Sequence, residues 1–147
     1  MTRFQELVRQ GRAEGIEAFL VGVVVLDGQG RALMVRRRPE DRFGGLWEFP
    51  GGSLEPEEDP EAGAARELAE ETGLTGLELT YLRAVDFTGR HGLRFRQFAF
   101  TTAVPDGTPV ALTEHDAHHW APLDDLPQVG GHHAEVLDHL RRHGAGR

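Results

Sequence analysis

Glu67, Glu70 and Glu71 stand at the i, i+3 and i+4 spacing that a helix gathers onto one face. At about 100° per residue, with Glu67 at zero, Glu70 falls at about 300° and Glu71 at about 40°, so the three carboxylates share an arc of roughly 100°. The stretch 55–71 holds eight acids (Glu55, Glu57, Glu58, Asp59, Glu61, Glu67, Glu70 and Glu71) against one base, Arg66. That leaves −7 there and −1 in the rest of a chain whose net charge is −8. Like charges three or four residues apart on a helix cost roughly 0.2–0.5 kcal/mol per pair. No lysine or second arginine in the stretch relieves them. Two arrangements answer that cost: a hard divalent cation held by the carboxylates, or a helix face left in water. In the first, an oxygen-only donor set selects Mg²⁺ or Mn²⁺ over zinc.

The element that must present these groups is a helix over Pro60–Thr72. Asp59 can accept the free amides of its first turn, Pro60 fits the first helical position, and Gly73 can take the left-handed conformation that ends it. Ala62, Ala65, Leu68 and Ala69 lie opposite the carboxylates and are expected to pack against a sheet, while Gly63 lets another backbone or a ligand come close. Upstream, Ala18–Leu26 is a nearly continuous β-branched run, the pattern of a strand covered on both faces. Asp27-Gly28-Gln29-Gly30 turns the chain, without the third glycine of a dinucleotide fingerprint, and Arg31–Arg37 returns as the second arm of a hairpin. Trp47-Glu48-Phe49 is a short strand stopped by Pro50-Gly51-Gly52. Downstream, strands are expected at 77–87 and 93–104, with a weaker one at 118–123. Helices are expected at both ends, one with Phe4, Leu7 and Val8 at helical spacing and one over Gly131–His143 with Val136, Leu137 and Leu140 on one side. Strands outnumber helices, which predicts an α/β fold, a mixed β-sheet sandwiched between helices, forming one domain over residues 1–147.

Gly52, Glu58 and the run Arg66-Glu67-Leu68-Ala69-Glu70-Glu71-Thr72-Gly73-Leu74 together resemble the full signature of the Nudix hydrolases, the MutT-like family. Every fixed position of that signature is matched over residues 52–74, and the preceding Leu46-Trp47-Glu48-Phe49-Pro50-Gly51 is similar to the nucleoside-triphosphate-cleaving branch. The resemblance implies an α/β/α sandwich and hydrolysis of a nucleoside diphosphate linked to another group, with Mg²⁺ or Mn²⁺ in the site. It further implies Glu70, Glu71 and the Gly51 carbonyl as metal ligands, and Glu67 as a ligand or as the base that activates water. Arg66 would hold Glu67, and Glu58 would pair with Arg66 or touch metal-bound water. Glu114 resembles the additional acidic ligand that some members supply from a later loop.

Other side chains have two readings each. Arg36 and Arg38 end the hairpin on the face opposite Arg37, where they could meet substrate phosphates or simply lie on the surface. Phe43 and Trp47 could stack on a base or belong to a core. His115, His118, His119, His132 and His133 lack clear zinc-ligand spacing and read as surface residues or as supports behind the site.

Composition removes most alternatives. The 147 residues include no cysteine and no lysine, and the single serine, Ser53, is not followed by the glycine of a nucleophile elbow. Disulfides, thiolate and Schiff-base chemistry and a Walker-type lysine are excluded. The acidic balance argues against a stable nucleic-acid complex or an anionic membrane surface as partner. With no apolar span and no leader-like start, the expected location is the cytoplasm. The expected partner is a small-molecule nucleotide; dimers are common in the family, so a homodimer is one expected state. The expected reaction is pyrophosphohydrolysis of an unmodified or oxidised nucleoside triphosphate. The alternatives are cleavage of ADP-ribose or another nucleotide sugar, and a non-catalytic nucleotide-binding module. Ser53 stands where the triphosphate-cleaving branch often has lysine.

Overall fold

The valines of β1 (Ala18–Leu26) point alternately to two apolar layers, and Val21, Val23, Val24 and Val25 are all within 1% of full burial. The computed structural model, which describes residues 1–129 and 131–143, explains why both faces are covered. Val21, Val23 and Val25 pack under α1 (Arg3–Ala13) and α2 (Pro60–Thr72) with Phe98, Phe100, Ala64 and Leu68. Val24 faces α3 (Gly131–His143) with Met34, Val85, Val136, Leu137 and Leu140. The described residues thus form the expected sandwich, two helices on one face of a mixed sheet and one on the other.

The sheet runs β3 (Trp47–Glu48), β2 (Arg31–Arg37), β1, β6 (Arg94–Ala103), β5 (Thr80–Thr88), with β4 (Gly51–Ser53) on β1 and β7 (His115–Pro122) on β2. Among the described residues only β1 and β6 pair parallel; the other pairs are antiparallel. The expected β1–β2 hairpin pairs at Leu26 and Ala32, next to the turn, and then opens. Gly51–Ser53 fills the opening by pairing with Leu20–Gly22, so the Pro-Gly-Gly sequence expected to stop a strand starts one instead. Glycine suits that position because a β-carbon on Gly51 would strike the Val21 backbone.

Asp59 and Gly73 bound α2 as its sequence predicts. Asp59 Oδ2 accepts from the amides of Glu61 and Ala62 at 3.0 and 3.2 Å, and Gly73 ends the helix at φ 75°. The buried face is turned from the expected one. Ala62 and Ala65 are exposed, whereas Ala64, Leu68, Glu71 and Thr72 are buried. Gly63 does admit a close approach, by the side chains of Leu54 and Glu58. No helix among the described residues is long and apolar enough to cross a membrane.

Candidate active site

The rotation of α2 decides the environment of each glutamate. Glu70 stays exposed, Glu67 is half-buried, and Glu71 is only 4% exposed on the sheet side of the helix. β4 runs beneath them. The Gly51 amide donates to Glu71 Oε1 at 3.0 Å, and a β-carbon on Gly52 would lie 2.6 Å from the Glu67 carboxylate. Gly52 therefore lets the chain pass directly under the Glu67 carboxylate, which a side chain there would displace, while Gly51 brings its amide to Glu71 at a point where a side chain would strike the Val21 backbone.

Arg66 is the hub of the exposed half. Its Nε and Nη2 donate to the two Glu58 oxygens at 2.7 and 2.9 Å, its Nη1 to Glu67 Oε1 at 3.0 Å and Glu70 Oε2 at 3.2 Å, and its Nη2 also to the Ser53 carbonyl at 3.1 Å. A planar guanidinium fork suits this many simultaneous acceptors. The pairing holds the Glu58 carboxyl below the ordinary carboxylate range, chiefly through the Arg66 hydrogen bonds, and raises Arg66 further above its already high value.

Among the described residues Glu71 has no such partner. Burial first, then the charges of Glu48, Glu67 and Glu114, push its carboxyl up to about 8 against the opposing Gly51 hydrogen bond. Glu67 is also raised, by burial and by Glu70 and Glu114, with Arg66 opposing. Glu114 joins this field from the loop before β7. Its neighbour Thr113 donates from Oγ1 to the Glu70 carbonyl at 2.8 Å, and Arg38 Nη2 donates to the Thr113 carbonyl at 2.7 Å.

Among the described residues, no three Asp, Glu or His side chains converge at ligand geometry. Arg66 draws Glu67 and Glu70 to one side while Glu71 is tied to Gly51. The donor set nevertheless fits a hard divalent cation: it is all oxygen, it is cradled by a glycine pair, and its buried member lacks a compensating positive charge.

The remaining sequence candidates divide. Arg36 pairs with Asp116 at 2.9 Å and lies 5.6 Å over the Trp47 ring on the α3 face, and Trp47 is also edge-on to His119. Trp47 is half-buried beside the α3 core, and Phe43 is 58% exposed in the loop before β3, with Arg42 over its ring. No hydrogen bond or ring contact joins Phe43 to the carboxylates among the described residues. A groove of about 530 Å³ lies between α1 and the 53–58 segment and borders the cluster along Ser53, Glu55 and Glu58, the residues that meet Arg66.

One residue beside the site escapes sequence reading. Glu48 accepts from Arg37 Nε at 3.0 Å and from His115 Nε2 at 2.8 Å, and its charge acts on Glu71. His115 and His133 are each 6% exposed, so of their two readings the surface one fails for both, and His115, bonded to Glu48, stands as a support behind the carboxylates. His115 is buried because β7 begins there rather than at residue 118, and His133 packs edge-on against Phe49.

A family model described as the NUDIX domain matches residues 18–140. Among curated proteins, the chain is 41% identical over 70 residues to an 8-oxo-dGTP diphosphatase of Proteus vulgaris, covering 46% of this chain and 62% of that one. It is 30% identical over 136 residues to an RNA pyrophosphohydrolase of Mesorhizobium japonicum, covering 74% and 78%. Relatives differ in length: the chain spans 33% of a Myxococcus xanthus octanoyltransferase to which it is 39% identical over 127 residues. A MutT NUDIX hydrolase from Burkholderia pseudomallei superposes with a TM-score of 0.74 at 26% identity, covering 84% of this chain and 97% of that one.

Proposed function

The chain belongs to the NUDIX domain family, and from that premise we propose that it is a Mg²⁺- or Mn²⁺-dependent pyrophosphohydrolase acting on an unmodified or oxidised nucleoside triphosphate. Its products are the monophosphate and pyrophosphate. The observation that carries this reading is the buried, uncompensated Glu71 among Glu67, Glu70 and Glu114 above the Gly51-Gly52 backbone. The names of the diphosphatase and pyrophosphohydrolase relatives support it.

Glu67, Glu70, Glu71 and the Gly51 carbonyl would hold the cation, with Glu114 added from its loop. When bound, such a cation offsets carboxylate and polyphosphate charge, makes phosphorus more electrophilic and acidifies water. Arg66 fixes Glu67 by Oε1, and Oε2 is the atom that serves either as a further donor or as acceptor of the attacking water's proton. Burial raises the proton affinity of that carboxyl, which suits a base. Glu58 grips the guanidinium from its other side and keeps the fork aligned. In this reading Arg36 and Arg38 exchange Asp116 and the Thr113 carbonyl for substrate phosphates, while Trp47 and Phe43 offer ring faces to the base. Water adds to phosphorus as one anhydride P–O bond breaks, so a chain without Cys or Lys and with one Ser needs no covalent intermediate.

The test is a substrate panel with and without chelator: ordinary and 8-oxo nucleoside triphosphates, ADP-ribose, NADH, a dinucleoside polyphosphate and a short RNA with a 5′-triphosphate. Monophosphate plus pyrophosphate from a free triphosphate supports the proposal. Two monophosphate products from ADP-ribose would transfer the chain to the nucleotide-sugar reading, and saturable binding without turnover would make it a nucleotide-binding module.

A further inference from the structure

β7 carries an irregularity where it meets the end of β2. Arg36 pairs with Ala117, but Arg37 pairs with His115, so Asp116 is an extra residue in the β7 strand. Along β7, Ala121, His119 and Ala117 alternate onto the α3 face, opposite Ala32, Met34 and Arg36. Without the bulge His115 would continue that series and Asp116 would face Arg37. The bulge instead turns His115 onto the face of Arg37 and Glu48, and turns Asp116 onto Arg36.

We propose that Arg37, Glu48 and His115 form a brace whose role is to hold Glu114 over the α2 carboxylates. Glu48 bridges the brace, accepting from Arg37 Nε at 3.0 Å and from His115 Nε2 at 2.8 Å. An ionised carboxylate only accepts, so Nε2 carries the hydrogen, and buried Nδ1 has no hydrogen-bond partner among the described residues. On the other side of Glu114, Thr113 is bound to the Glu70 carbonyl and to Arg38. The Glu114 side chain is exposed and is held by no side-chain hydrogen bond among the described residues. Its position is set by its two anchored neighbours.

Fold stability alone does not account for the brace. A buried polar contact that leaves a ring nitrogen without a partner is often no better than apolar packing, and the His115–Glu48 contact leaves Nδ1 so among the described residues. Glu48 also adds negative charge beside buried Glu71. Together these costs buy one defined thing, the path of the chain from Thr113 to His115. Arg37, Glu48 and His115 are positioning residues; none needs to touch substrate.

The inference rests on Glu114 being a cation donor, and the test separates the two ideas. Mn²⁺ affinity is measured without nucleotide by electron paramagnetic resonance on wild type, Glu114→Gln, His115→Leu, His115→Gln and the Glu114→Gln/His115→Leu double variant, with thermal melts alongside. His115→Leu is expected to weaken Mn²⁺ binding about 10–100-fold, the range for supports behind a metal ligand. His115→Gln, which keeps an N–H near Nε2, is expected to restore most of the affinity. In the Glu114→Gln background, His115→Leu should add nothing. The brace is overturned if His115→Leu lowers the melting temperature but leaves Mn²⁺ affinity unchanged, or if the two losses multiply in the double variant. If Glu114→Gln alone leaves affinity unchanged, the donor reading of Glu114 fails and the brace falls with it.

Discussion

Replacing Glu71 with Gln is expected to stabilise the cation-free protein above neutral pH while abolishing its response to divalent cations. Glu71 is 4% exposed, and burial together with Glu48, Glu67 and Glu114 raises its carboxyl from the ordinary 4.5 to about 8. Below both values the group is neutral in the folded and unfolded chains and costs nothing. As pH rises the unfolded chain ionises first, so stability falls until the folded carboxyl also ionises. At about 1.4 kcal/mol for each pH unit in that window, the loss by about pH 8 is on the order of 3–5 kcal/mol. For a domain of this size about 3 °C follows each kcal/mol, giving a difference of about 10 °C. Gln avoids the loss, because it keeps an acceptor for the Gly51 amide and offers N–H groups to the neighbouring carboxylates. The assay is a melt series in chelator from about pH 4 to about pH 8.5, repeated with Mg²⁺. The two proteins should melt together at the acid end and separate, variant higher, toward the alkaline end; Mg²⁺ should raise only the wild type. A variant that melts below wild type at about pH 8, or a gap independent of pH, would refute the reasoning.

Other changes separate catalysis from folding. Glu70→Gln, on an exposed face, should alter stability by no more than about 0.5 kcal/mol. In the same variant turnover should fall about 100-fold or more, checked by initial rates against Mg²⁺ concentration. Arg66→Lys loses the fork that joins Glu58, Glu67, Glu70 and the Ser53 carbonyl, and should cost about 1–3 kcal/mol in denaturant titrations along with most activity. Gly52→Ala should fold but place a β-carbon 2.6 Å from the Glu67 carboxylate; turnover is the readout. A misplacement on the scale of 1 Å at a reacting group costs about 100-fold.

The sequence is most legible where local chemistry decides. Asp59, Pro60 and Gly73 delimit α2, and the valine run of β1 announces a two-faced core, because caps and periodicity act over a few residues. The family signature likewise lies in one short stretch, from β4 through α2 to its cap. What the sequence hides depends on partners distant in the chain. The buried side of α2 is centred on Leu68 and takes in Glu71, although hydrophobicity assigns that side to Ala62 and Ala65. Glu71 is inside because β4 supplies the Gly51 amide, and β4 is a strand only because β1 leaves an open edge. His115 looks like one of several loop histidines until the bulge against Arg36 and Arg37 turns it onto Glu48. Arg36 and Arg38 look ready for phosphate, yet both are engaged within the chain, by Asp116 and the Thr113 carbonyl.

The central claim, that the α2 carboxylates form the hydrolytic centre, is tested most directly by pyrophosphate release from a mixture of ordinary and oxidised nucleoside triphosphates. Wild type and Glu70→Gln are compared in Mg²⁺ and in chelator. Release by wild type in Mg²⁺, absent in chelator and nearly absent in Glu70→Gln, is the expected result. Release that survives chelation, or that Glu70→Gln leaves intact, would contradict it.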